Sequence, residues 1–72
     1  MKKTFKMQDL DCANCAAKME AAIAKISGVE AASVNFMTQK LIIEAAEADI
    51  SRILDEADKA VRKIERNCRI IR

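Results

Sequence analysis

Cys12 and Cys15 are separated only by Ala13 and Asn14. As thiolates, two cysteines at this spacing can curl round one cation, with metal–sulfur distances of about 2.3 Å for zinc. Small Ala13 and polar Asn14 leave the pair accessible. A mere packing role suits it poorly, because space-filling cysteines rarely cluster in a polar loop. The remaining chemistry for such a pair is thiol–disulfide exchange, with Cys12 as nucleophile.

The pair needs a scaffold, and hydropathy spacing supplies its outline. Residues 3–8 alternate, Phe5 and Met7 against Thr4, Lys6 and Gln8, which predicts a half-buried strand. Met19, Ala22, Ile23 and Ile26 recur at helical spacing over 14–26, with alanines adding helix propensity. Gly28, the only glycine, suits the left-handed residue that ends such a helix. Residues 29–36 alternate again, with Ala32, Val34 and Phe36 on one face. Met37, Thr38 and Gln39 form a turn without the Asn-Gly pair that marks a tight hairpin, and 40–45 make a third strand. Asp49 is placed to cap a second helix whose apolar stripe is Ile50, Ile53, Leu54, Ala57, Val61 and Ile64. Its charged face reads as solvated, with local ion pairs worth about 0.2–0.5 kcal/mol each. Residues 67–72 form a closing strand.

Strand, helix, strand, strand, helix, strand is thus the expected order of an α+β fold. Two right-handed crossovers that interleave their strands give a four-stranded antiparallel sheet with both helices on one face. The loop after strand 1 and the loop before strand 4 then share one end of the sheet. Cys12 and Cys15 fall where strand 1 yields to helix 1, where free amide groups and the helix dipole favour thiolates. Asp11, just before them, is a candidate cap for that helix. Asp9 reads as a solvated loop charge that aids cation entry, and Leu10 as structural. Cys68 fits strand 4 as a small apolar group, but its place at the same sheet end makes it a candidate additional metal ligand. Met7 and Met37 read as core and turn.

Composition narrows the classes. The 72 residues suit one domain over 1–72 with a thin core, burying roughly 60% of the unfolded surface. Phe5 and Phe36 are the only aromatic residues, and 13 basic against 11 acidic residues leave a charge of +2. No base-stacking platform or polyanion-binding surface is expected, so nucleic acid is not an expected partner. No apolar run approaches the ~18–20 residues that span a bilayer, and the first residues do not read as a secretory signal. Membership of a longer membrane protein stays open on these grounds. Three cysteines cannot all pair within one molecule. Two close together point to metal or redox chemistry. Thioredoxin-type dithiols keep a proline near the site, and this chain contains none.

The stretch Leu10-Asp11-Cys12-Ala13-Asn14-Cys15-Ala16-Ala17-Lys18, with Val29 after Gly28 and then Val34-Asn35-Phe36, resembles the heavy-metal-associated domain. The likeness runs over nearly the whole chain and implies a ferredoxin-like βαββαβ sandwich. It also implies that Cys12 and Cys15 are the metal-binding cysteines. Members occur as free metallochaperones and as cytoplasmic N-terminal domains of metal-exporting P-type ATPases. Copper members usually carry Gly-Met-Thr before the first cysteine, where this chain has Asp9, Leu10 and Asp11. An acidic third residue resembles the zinc, cadmium and lead exporters, in which that carboxylate joins the metal shell. Copper(I) is content with two thiolates, whereas a divalent ion takes more ligands and accepts a hard oxygen. The loop Glu65-Arg66-Asn67 also lacks the lysine or aromatic residue frequent in copper members.

The expectation is therefore a non-enzymatic, monomeric, cytoplasmic domain that binds Zn(II), Cd(II) or Pb(II) through Cys12, Cys15 and Asp11, ahead of Cu(I). It would serve an exporting ATPase of the plasma membrane, meeting that protein's other domains or a metallochaperone. The alternatives are a free metallochaperone for zinc, copper(I) or mercury, and a thiol–disulfide redox protein.

Overall fold

The strands and helices fall largely where apolar periodicity places them. The computed structural model describes residues 2–71. Met1, and Arg72 with its expected place in the closing strand, lie outside the described residues. Strand β1 (Lys2–Gln8) leads to helix α1 (Ala13–Ala24), strands β2 (Val29–Asn35) and β3 (Lys40–Ala45), helix α2 (Ile50–Ile64) and strand β4 (Arg69–Ile71). The sheet order is β2-β3-β1-β4, and every neighbouring pair is antiparallel. The chain thus forms the expected ferredoxin-like α+β sandwich, with the two helices packed on the sheet and on each other.

Period-two alternation decides which side of the sheet meets the helices. Leu41, Ile43 and Ala45 of β3 are buried, while Ile42 between them is half-covered. Met7 of β1 and Ile70 of β4 are buried, and they lie opposite each other in the register. The helices answer with Ala16, Met19 and Ile23 from α1 and Ile50, Ile53, Leu54, Ala57 and Val61 from α2. Phe5, Ala32, Val34 and Ile64 pack partly buried around this core. Edge strand β2 is tied to α1 by Glu20, whose Oε2 accepts the Val34 N–H at 3.0 Å.

Local endings depart from the sequence expectations in four places. Helix α1 stops at Ala24 rather than Ile26, because the last amides turn to nearer carbonyls. Lys25 N–H reaches Ala22 O at 3.3 Å and Ile26 N–H reaches Ile23 O at 3.0 Å. Gly28 therefore does not end the helix directly. It sits at φ +95° in a turn closed by Val29 N–H on Ile26 O. A Cβ there would lie 2.7 Å from Arg52 Nη2, the group that donates to Ser27 O at 2.8 Å.

Asp49 does not cap α2. A 3-10 turn, Glu47–Asp49, runs straight into the helix, so Asp49 has helical backbone angles and its carboxylate caps no amide. The carboxylate instead lies 3.9 Å from Arg52. The expected local pairing on the outer face of α2 is present, with Arg52–Glu56 at 2.8 Å and Arg62–Asp58 at 3.4 Å. Strand β4 is shorter than expected: Asn67 lies in a turn, and Cys68 precedes the strand.

Register then determines what meets at the sheet end. Gln8 pairs with Arg69, so the exit of β1 adjoins the entry of β4. Lys6 pairs with Lys40, and Met7 N–H donates to Gln39 O at 2.8 Å, so the β2–β3 turn joins them. Three loops converge there, one of them carrying the cysteine pair.

Candidate metal centre

Cys12, not Asp11, is the cap of α1. Its backbone is extended (φ −129°, ψ 120°) and its Sγ accepts the Cys15 N–H at 3.2 Å. Its carbonyl accepts the first helical bond, from Ala16 N–H at 3.0 Å. The capping role weighed for Asp11 is therefore taken by the neighbouring sulfur. A sulfur is a weak acceptor as a thiol and a stronger one as a thiolate. No acidic residue occupies the first turn of α1, so its amide ends are left to stabilise negative charge on sulfur.

The two thiols respond in opposite directions, which corrects the expectation that both would become more acidic. The Cys12 thiol is lowered below its ordinary value, first because the Cys15 side chain hydrogen-bonds to it and then because the Cys15 amide does. The Cys15 thiol is raised by that same hydrogen bond to Cys12, with burial adding to the effect. A hydrogen bond between the two side chains thus favours the thiolate at Cys12 and the thiol at Cys15.

Asp11 is exposed, beside the pair. With Gln8, Asp9, Arg66, Asn67 and Arg69 it lines an open polar groove of about 540 Å³. No hydrogen bond or ion pair engages its carboxylate among the described residues, which leaves it available to a cation. The structure brings Cys12 and Cys15 into direct contact. Among the described residues, no group of three or more His, Cys, Asp or Glu is already gathered as a metal shell. Asp9, in the left-handed region at φ 61°, is exposed as expected, and Leu10 is buried at 1% exposure.

Cys68 lies beneath the loop, within the core and 1% exposed. Burial pushes its thiol from 9.0 up to about 11, with the charges of Glu65, Asp9 and Asp11 acting in the same direction. The thiol is therefore neutral and shielded at physiological pH. In reduced protein at pH 8, alkylation followed by peptide mass spectrometry is expected to label Cys12 first and Cys15 next, with Cys68 labelled only on unfolding. The sign for stability follows from linkage. The folded value lies above the unfolded one, so the contribution is whole below about pH 9 and is lost as pH rises through about 11. Cys68→Ala is expected to flatten that alkaline decline in urea-unfolding midpoints.

Two residues escaped the sequence reading. Glu65, which ends α2, places its charge where it adds to the raised Cys15 and Cys68 thiols and opposes the lowering at Cys12. Gln39, placed only in a turn, sends its side chain to the cysteine loop. Its Oε1 accepts the Leu10 N–H at 3.0 Å, and its Nε2 donates to Leu10 O at 2.5 Å and to Phe36 O at 3.0 Å. No local pattern flags a contact between residues 29 positions apart. Met37, which the sequence placed in the turn, is 86% exposed there.

Comparison with known proteins adds to this geometry. The heavy-metal-associated domain family profile matches residues 4–67. The zinc/cadmium/lead-transporting P-type ATPase of Escherichia coli (strain K12) is 34% identical over 62 residues, 82% of this chain and 8% of that protein. The copper chaperone CopZ of Enterococcus hirae is 32% identical over 50 residues, 69% of this chain and 72% of that one. The solution structure of the N-terminal domain of ZntA in the apo-form superposes with a TM-score of 0.72 at 30% identity, covering 99% of this chain and 92% of that one. The chain spans 9% or less of the length of the metal-transporting ATPases it matches. No helix among the described residues is long and apolar enough to cross a membrane.

Proposed function

The chain belongs to the heavy-metal-associated domain family, and from that premise we propose that it is the metal-receiving domain of a zinc-, cadmium- or lead-exporting P-type ATPase. Cys12 and Cys15 supply two thiolates, and Asp11 supplies the oxygen that a divalent ion accepts and copper(I) does not need. The metal is cargo. A three-coordinate divalent ion keeps a position open for an incoming ligand, as transfer by ligand exchange requires. The domain performs no catalytic step, and ATP hydrolysis and transport reside in other parts of a longer, membrane-embedded chain, with this part in the cytoplasm.

The observation that carries this reading is the freedom of Asp11. Asp11 directly precedes Cys12 in the chain, is exposed, and has its capping task taken over by Cys12. Likeness to ATPases whose names specify zinc, cadmium and lead supports the same branch. The test is a titration of reduced protein with Zn(II), Cd(II) and Cu(I). Asp11→Ala is expected to lower affinity for Zn(II) and Cd(II) tenfold or more, about 1.4 kcal/mol, and to leave Cu(I) unchanged. Undiminished divalent binding in that variant would remove the basis for the branch. In the same titration Cys68→Ala should alter affinity by less than about threefold, whereas a tenfold loss would make Cys68 a ligand.

A second reading is a free metallochaperone, supported by likeness to CopZ over 72% of that protein's length. The length of the native gene product separates the two.

A further inference from the structure

The β2–β3 turn grips the loop that precedes the cysteines. Gln39 uses its side-chain amide as a two-pronged clasp on one residue, accepting the Leu10 N–H at 3.0 Å and donating to the Leu10 carbonyl at 2.5 Å. Its third bond, Nε2 to Phe36 O at 3.0 Å, anchors the clasp to its own turn. These bonds are partly buried. Gln39 holds φ at 56°, a left-handed conformation unfavourable for a residue with a side chain. A turn selected only for tightness would take glycine or asparagine there. Below the clasp, the Leu10 side chain is locked in the core at 1% exposure. Leu10 is thus held from both sides, and the peptide held by Gln39 on its carbonyl side is the one that begins Asp11.

We propose that Gln39 is a positioning residue for metal selectivity: by clasping Leu10 it fixes the Asp11 backbone beside Cys12 and Cys15. This rests on the reading of Asp11 as a ligand for divalent ions. The physical argument is preorganisation. A loop already held in its binding conformation loses less freedom when the carboxylate engages. Copper(I), taken by the sulfurs of the cap and first turn of α1, does not draw on the Asp11 carboxylate.

The test uses Gln39→Asn, which tolerates the left-handed conformation but is one methylene too short, and Gln39→Gly, which removes both amide and backbone strain. The backbone bond from Met7 N–H to Gln39 O at 2.8 Å is open to both variants. In metal-free protein, hydrogen exchange of the Leu10 amide is expected to accelerate about tenfold or more in both, with urea midpoints close to wild type. Zn(II) affinity should fall about three- to tenfold while Cu(I) affinity holds, and neither variant should lower Zn(II) affinity further in an Asp11→Ala background. Unchanged Leu10 exchange, a parallel loss for both ions, or a full loss in the Asp11→Ala background would each overturn the proposal. A wild-type protein that binds neither ion overturns the metal reading and this role together. Zinc binding in wild type that Gln39→Asn leaves intact overturns this role alone.

Discussion

Cys12→Ser is expected to reduce affinity for Zn(II), Cd(II) and Cu(I) by about a thousandfold or more, roughly 4.2 kcal/mol at 1.4 kcal/mol per tenfold. The substitution is informative because of where the sulfur sits. Cys12 is both the proposed ligand and the cap of α1, accepting the Cys15 N–H at 3.2 Å. Serine is among the best caps, so the helix start should survive or gain slightly. A serine hydroxyl stays protonated and is a poor ligand for soft ions. Ligation and folding are thereby separated within one residue. Isothermal titration on reduced protein, with circular dichroism and a urea midpoint as controls, reads both. A variant that keeps affinity within tenfold of wild type would mean that Cys12 is not a ligand.

Leu10→Ala should be the most damaging change outside the proposed ligands. Leu10 belongs to a loop, yet it is 1% exposed and part of the core shared with Met7, Met19 and Cys68. Truncating a buried leucine costs about 2–5 kcal/mol through lost transfer free energy and the cavity left behind. For 72 residues, typical total stability is roughly 4–11 kcal/mol at about 0.05–0.15 kcal/mol per residue. The loss is therefore a large share of the whole. With a urea slope near ~1 kcal/mol/M for so small a domain, the midpoint should drop by about 2 M or more. A ligand that binds only the folded form offsets this by mass action, about 4.1 kcal/mol at a thousandfold excess over Kd. Zinc should therefore restore much of the lost midpoint in Leu10→Ala, and no recovery would place metal binding outside the folded state. A drop below about 0.5 M would show that the loop relaxes without leaving a cavity.

Much of the framework could be read from the chain because it rests on periodicity. Met7, Leu41 and Ile43 alternate, and Ile53, Leu54, Ala57 and Val61 recur at helical spacing. Each pattern has one way to bury its apolar side, and the core contains these residues. The antiparallel four-stranded sheet with its two packed helices followed from that order. So did the meeting of the cysteine loop with the start of the last strand. The Cys12–Cys15 pair at the start of α1 was equally visible, since it depends on spacing and on a strand-to-helix boundary.

What tertiary structure decided is how groups at that boundary divide the work. A side-chain cap depends on backbone angles that composition does not specify, so Cys12 rather than Asp11 holds the amide, and Asp49 joins a 3-10 turn instead of capping. Opposite shifts at Cys12 and Cys15 arise from the direction of one hydrogen bond between them. The burial of Cys68 reflects how far the core extends beneath the loop, and the grip of Gln39 on Leu10 needs a register that brings the β2–β3 turn alongside β1. Sequence determined the elements and the place of the cysteine pair because hydrophobic burial and local spacing act over a few residues. The fold assigned caps, protons and clasps because each is a contact between groups that only packing brings within hydrogen-bonding reach.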